Sequence, residues 1–234
     1  MDTAELLSEV RELRGQGRSP KEIARALGVP PAVITPLVRA VAAEKAAGDA
    51  GPGRAELVGC WVSAGWSAGL TIDASRQWPD PAPEGDRAAG MVSVLVARRH
   101  GYDNTLVCGY LVDTYCLGAK NAFGPQVMSE LELRRWREFF FSDYSSGWTE
   151  APIELAADLV FGGVEYARGL GFEPHQDYAR CADHLGPWEG PSAITFGRDG
   201  KPFYMSGPDD DARKVIRTLE RTLGDASKFD YFIA

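Results

Sequence analysis

The segment "YLVDTYCLGAKNAFG" (residues 110–124) brings an acid (Asp113), a thiol (Cys116) and an amine (Lys120) together at the end of an apolar run. Strand-to-loop junctions are where scaffolds present working groups, so the trio outlines a small pocket able to act on a metabolite or a nucleic acid. A thiol becomes a nucleophile only beside a base that takes its proton. If the strand persists to Cys116, alternation sends Asp113 and Tyr115 to one face and Thr114 and Cys116 to the other, which separates acid from thiol. Without chemistry, the same residues are a buried small cysteine, a turn-capping aspartate and a solvated lysine. Further on, "GFEPHQDYARCADHLG" supplies His175, Cys181 and His184. The spacing H-x5-C-x2-H lacks the paired ligands of common zinc sites, and no metal is expected there. Phosphate loops, dinucleotide fingerprints and HExxH are absent from the sequence, so no cofactor is expected either.

A second constellation is built for positioning rather than reaction. In "SPKEIARALGVPPAVITPLVRAV" (residues 19–41), Ser19 is an N-cap, Pro20 opens a helix and Glu22 completes a capping box. Ala24 is the small residue that lets a third helix approach, and Gly28 makes the turn. Ile23, Leu27, Val29, Ile34 and Leu37 bury the angle between the two helices. The stretch resembles the helix-turn-helix domains of bacterial regulators and recombinases over residues 5 to 46. That resemblance implies a recognition helix beginning near Pro31. Its outward positions are Pro30, Pro31, Ala32, Thr35, Pro36 and Arg39, of which only Thr35 and Arg39 can hydrogen-bond a base edge. Pro36 falls inside the helix, where it removes a backbone bond. Arg18, Lys21 and Arg25 are the phosphate-contact candidates.

These groups must be carried by two units. Residues 1–47 form a small all-helical domain, with Leu6, Leu7, Val10 and Leu13 at helical spacing before Gly15-Gln16-Gly17. Residues 48–56 are small and Gly-rich and are expected to be a linker. Residues 57–234 are expected to form a mixed sheet-and-helix domain, which makes the fold class α+β. "LVGCWVSAGW", "MVSVLVARR" and "TLVCGYLVDTYC" are strand-like, with "HGYDN" a hairpin turn between the last two. "VMSELELRRWREFF", "PIELAADLVFGGVEYARGLG" and "DDDARKVIRTLERTLG" are helical. "AITFGRDGKPFYMS" is expected to be a hairpin around Gly197–Gly200, and the Pro-rich stretch 75–90 to loop out. The segments "VDTYCLGAKNAF", "VEYARGLGFEPH" and "FGRDGKPFYMSGPD" resemble an uncharacterised, actinobacterial-type bacterial family over roughly residues 57 to 224. That resemblance implies a self-contained fold and assigns no activity.

Charge narrows the partners. The 234 residues carry 25 Lys+Arg against 33 Asp+Glu, a net of −8, which opposes wholesale adsorption to nucleic acid or to an anionic membrane. The first 47 residues have a net of +1, so any grip on phosphate is local. The N-terminus has no apolar signal segment and no run approaches the ~18 residues of a membrane span, so a cytoplasmic protein without membrane partners is expected. The four cysteines, Cys60, Cys108, Cys116 and Cys181, are expected to be reduced. Together these features point to a helix-turn-helix transcriptional regulator. An acidic domain would dimerise it or sense a small-molecule ligand, because one thin DNA-binding unit would hold DNA poorly alone. An enzyme centred on Asp113, Cys116 and Lys120, or a protein-interaction module, is the alternative.

Overall fold

Turn chemistry fixes the first three elements. The computed structural model describes residues 3–50, 53–81, 90–208 and 210–233. Helix α1 spans Thr3–Gly15, α2 Pro20–Leu27 and α3 Pro31–Ala50. Ser19 accepts the Glu22 N–H, while the Glu22 carboxylate takes the Ser19 N–H at 2.7 Å and its hydroxyl at 2.6 Å. This reciprocal cap satisfies donors that the start of a helix leaves unpaired. At the other end Gly28, at φ 64°, turns the chain in the left-handed region and returns its N–H to Ala24. Leu6, Val10, Ile23, Ala24, Ile34 and Val38 are buried together and form the core of this unit.

The expected linker is helical at its start, because α3 continues to Ala50. Ala42, Ala43, Ala46, Ala47 and Ala50 explain this, since alanine has the highest helix propensity and outweighs the single Gly48. The far end of the linker is clamped. The Arg98 guanidinium donates to the carbonyls of Ala55 (2.8 Å), His184 (2.7 Å) and Leu185 (3.0 Å). A Cβ on Gly53 would stand 2.1 Å from the Asp183 oxygen, so only glycine fits there.

The remaining chain is α+β. Strands β1 (Leu57–Ser63), β2 (Thr71–Ile72), β3 (Met91–His100), β4 (Asn104–Asp113) and β5 (Gly118–Ser129) precede α4 (Glu130–Phe140) and β6 (Trp148–Glu150). The principal sheet is antiparallel, in the order β5-β4-β3-β1-β6. The "HGYDN" turn closes β3 onto β4, with His100 opposite Asn104. One face of the sheet, with Val62, Val94, Val96, Tyr110 and Val112, packs against Leu155, Leu159, Val160 and Val164. Those residues lie on α5 (Ile153–Ala157), a wide π-type turn at Asp158–Gly162 and α6 (Gly163–Gly169). The opposite face, through Trp61, Leu95, Ala97 and Val107, is covered by Leu133 and Phe141 at the level of α4. A strand covered on both sides reads as the apolar run "VLVA" at residues 94–97.

Several elements differ from the sequence expectation. Strand β4 ends at Asp113, short of Cys116, because the Asp113 side chain captures the next turn. Strand β5, the longest in the sheet, was hidden by Gly118, Lys120, Asn121 and Gly124-Pro125, which break the apolar alternation. The hairpin around Gly197–Gly200 keeps its turn, but its arms join different sheets. After α7 (Tyr178–Cys181), β7 (Ile194–Thr195) pairs with β2. Strand β8 (Phe203–Met205) pairs in parallel with β9 (Asp230–Phe232), which follows α8 (Ala212–Leu223). Asp211 caps α8, whereas Asp210 turns away into the interior and Asp209 lies outside the described residues. Of the loop at 75–90, residues 82–89 also lie outside them.

Candidate functional site

The outward face of α3 is open to solvent. Pro31, Ala32, Pro36 and Arg39 are exposed, as are Arg18, Lys21 and Arg25 on and beside α2. Thr35 is half-buried and its hydroxyl donates to the Pro31 carbonyl at 2.7 Å, which leaves it able only to accept from a partner. Among the outward positions expected to read bases, Arg39 is therefore the remaining hydrogen-bond donor.

The second feature is a groove across the sheet. Helix α4 covers Leu95, Ala97 and Val107, and the same alternation continues to Met91, Ser93, Gly109 and Leu111, which line the space beside it. Two adjoining cavities follow, sharing Met91, Leu111 and Asn121 in their lining. One, of about 570 Å³, is walled by Phe140, Asp143 and Tyr144. The other, of about 700 Å³, is bounded by Asp113, Lys120, His175, Phe203, Met205 and Asp210. Lys120 Nζ donates to Asp210 Oδ2 at 2.8 Å, and the Gly207 N–H donates to the same oxygen at 2.8 Å. Burial pushes the Asp210 carboxyl up, but the Lys120, Gly207 and Tyr204 hydrogen bonds outweigh it and leave it below the ordinary carboxylate range. Lys120 is thus held in an ion pair rather than solvated, contrary to the plainer expectation. At the other wall, the Tyr144 and Ser93 hydroxyls meet at 3.0 Å.

Asp113 and Cys116 do not form a reactive pair. The Asp113 carboxylate accepts the N–H groups of Tyr115 (2.9 Å), Cys116 (3.0 Å) and Leu117 (3.1 Å). Burial pushes it up to about 6, opposed by those bonds and by Lys120. Cys116 points away from the groove into an apolar cluster with Leu170, Tyr204, Leu219 and Phe229, and burial raises its thiol. A buried, protonated thiol with no adjacent base is inert. The expectation of acid, thiol and amine around one pocket is corrected: the acid and the amine reach it, and the thiol is replaced by His175. Cys181 and His184 lie in the core, with the His184 pKa lowered by burial to about 4, and no three side chains among the described residues gather as metal ligands.

No family model, curated protein or solved structure matches this chain.

His175 and Asp210 are the groove residues that sequence reasoning did not connect to Lys120. His175 reaches it because its N–H donates to the Ala119 carbonyl at 2.9 Å, pinning the loop after α6 to β5. With β5 unseen in the sequence, that attachment had no signal. Asp210 was one of a run of aspartates before a helix, and nothing in the run marks which one turns inward. Of the arginines on α4, Arg137 is turned inward: its guanidinium stacks over Trp148 at 4.0 Å and Trp61 at 4.8 Å. No helix among the described residues is long and apolar enough to cross a membrane.

Proposed function

We propose that the chain is a cytoplasmic helix-turn-helix DNA-binding protein of bacterial type, a transcriptional regulator whose acidic α+β domain dimerises and takes a small ligand in the sheet groove. The observation that carries this reading is the solvent exposure of Arg39 on the outward side of α3, with Arg18, Lys21 and Arg25 exposed nearby. Helix α2 is capped at both ends, so α3 is held at a fixed angle to it. Specificity is modest, because Arg39 supplies one donor group where strong readers use several. With three phosphate-contact candidates per copy, log affinity falls with log salt at a slope of about −3 per bound unit. The test is fluorescence anisotropy on fragments upstream of the gene and on unrelated duplex, at low and at physiological salt. Arg39→Ala should abolish preference for the specific fragment, whereas Lys21→Ala should weaken both duplexes alike. Absence of any binding by the unaltered protein at low salt sinks the reading.

A second reading, an enzyme acting on a small metabolite, draws on the cavity that gathers Asp113, Lys120 and His175. It requires a compound that is consumed by the protein and spared by both His175→Ala and Lys120→Met. A compound that raises the melting temperature and is recovered unchanged favours ligand sensing instead.

A further inference from the structure

Helix α4 carries an apolar patch that its own domain leaves uncovered. Phe139 is 66% exposed, Leu131 56% and, on the adjoining edge strand β5, Val127 48%. Between helix and strand lies a groove of about 430 Å³, lined by Val127, Met128, Glu132, Arg135, Trp136 and Phe139. The charges around it are mixed in sign. Arg134 is paired with Glu130, Glu132 is engaged in the Ser129 cap and Arg137 is stacked inward. Arg135 and Glu138 remain exposed, opposite in sign and outside the ion pairs formed among the described residues.

We infer that this face is the contact between two copies of the chain, with the α4 helices packed antiparallel about a two-fold axis. In such a contact residue i of one copy meets residue j of the other and the reverse, so a surface must complement itself. Arg135 faces Glu138 of the second copy, twice, and each Phe139 enters the groove beside the other's Val127 and Trp136. A strongly single-signed partner would leave one of these two charges opposed by its like, which favours a second copy. Gly124-Pro125 interrupts the free edge of β5, so side chains rather than continued strand pairing carry the contact. The inference deepens the regulator reading, which calls for two reading helices on one duplex. It is measured without DNA, so the two can fail separately.

The experiment is sedimentation equilibrium of the full chain. The unaltered protein should approach twice the 25.4 kDa of one chain as its concentration rises. Phe139→Asp should give single chains with an unchanged far-ultraviolet spectrum, because Phe139 contributes little to the interior. Arg135→Glu and Glu138→Arg should each weaken association about tenfold or more, each creating two like-charge contacts, and the double variant should recover it. Single chains at every concentration, a dimer indifferent to Phe139→Asp, or a double variant no better than the single ones would each overturn the inference.

Discussion

Lys120 and Asp210, ninety positions apart, close one wall of the sheet groove through a 2.8 Å ion pair that is only 20% and 15% exposed. The pair ties β5 to the turn before α8. The two partners are not equally replaceable. Removing Lys120 leaves Asp210 with the Gly207 and Tyr204 donors, while removing Asp210 strands a part-buried ammonium and the Gly207 N–H together.

Asp210→Ala should therefore destabilise the fold by about 2–4 kcal/mol, and Lys120→Met by about 1–2 kcal/mol. Urea denaturation at neutral pH measures both. Equal losses would show that the Gly207 and Tyr204 bonds do not support the carboxylate.

The buried groups His184 and Asp113 make opposing contributions as the solution is acidified. His184 titrates near 4 in the folded chain and ~6.5 unfolded, so stability falls as pH drops through that window, by about 2 kcal/mol near pH 5. Asp113 titrates near 6 folded and ~3.9 unfolded, so it adds stability as pH falls below about 6, on the order of 1 kcal/mol near pH 5. Their sum is nearly flat. His184→Gln should make the protein gain stability on acidification relative to its own neutral value, and Asp113→Asn should make it lose more. Urea midpoints near pH 7.5 and pH 5 decide; slopes that move in the same direction in the two variants contradict the assignment.

All four cysteines are buried and free. Burial pushes Cys60 up to about 12 and Cys108 and Cys116 further still. Native protein should consume almost no thiol reagent over minutes at mildly alkaline pH, and denatured protein should consume four equivalents. Rapid labelling of Cys116 in the native chain would restore it as a candidate nucleophile.

The helical cap makes a local prediction. Ser19→Ala should cost about 1 kcal/mol, lowering the melting temperature of the amino-terminal helices while leaving the sheet domain's transition in place. Replacing Gly28 by valine should cost more, because its backbone sits at φ 64° and a β-branched side chain is strained there. Calorimetry with tryptophan fluorescence separates the two transitions, since all six tryptophans lie beyond residue 60.

Local chemistry was legible in the sequence and long-range closure was not. The capping box, the Gly28 turn and the β3–β4 hairpin each depend on residues within a few positions of one another, so their types and spacing announce them. Strand β5 depends on pairing with β4 and carries Lys120 and Asn121 toward a groove, which dilutes the apolar pattern that marks its neighbours. The groove followed the same division. Lys120 and Asp113 were named from their strand end, but Asp210 and His175 arrive from segments whose return to β5 is written in tertiary contacts alone.

The clasp of Arg98 on the carbonyls of Ala55, His184 and Leu185 bears on how the two halves of the protein communicate. Three peptide steps separate the last described turn of α3 from Gly53, so these points can stand no more than about 11 Å apart. So short a connection limits how far the two points can move apart. A rearrangement that displaced the 183–186 segment would pull on the base of α3, giving the core of one unit mechanical purchase on the other.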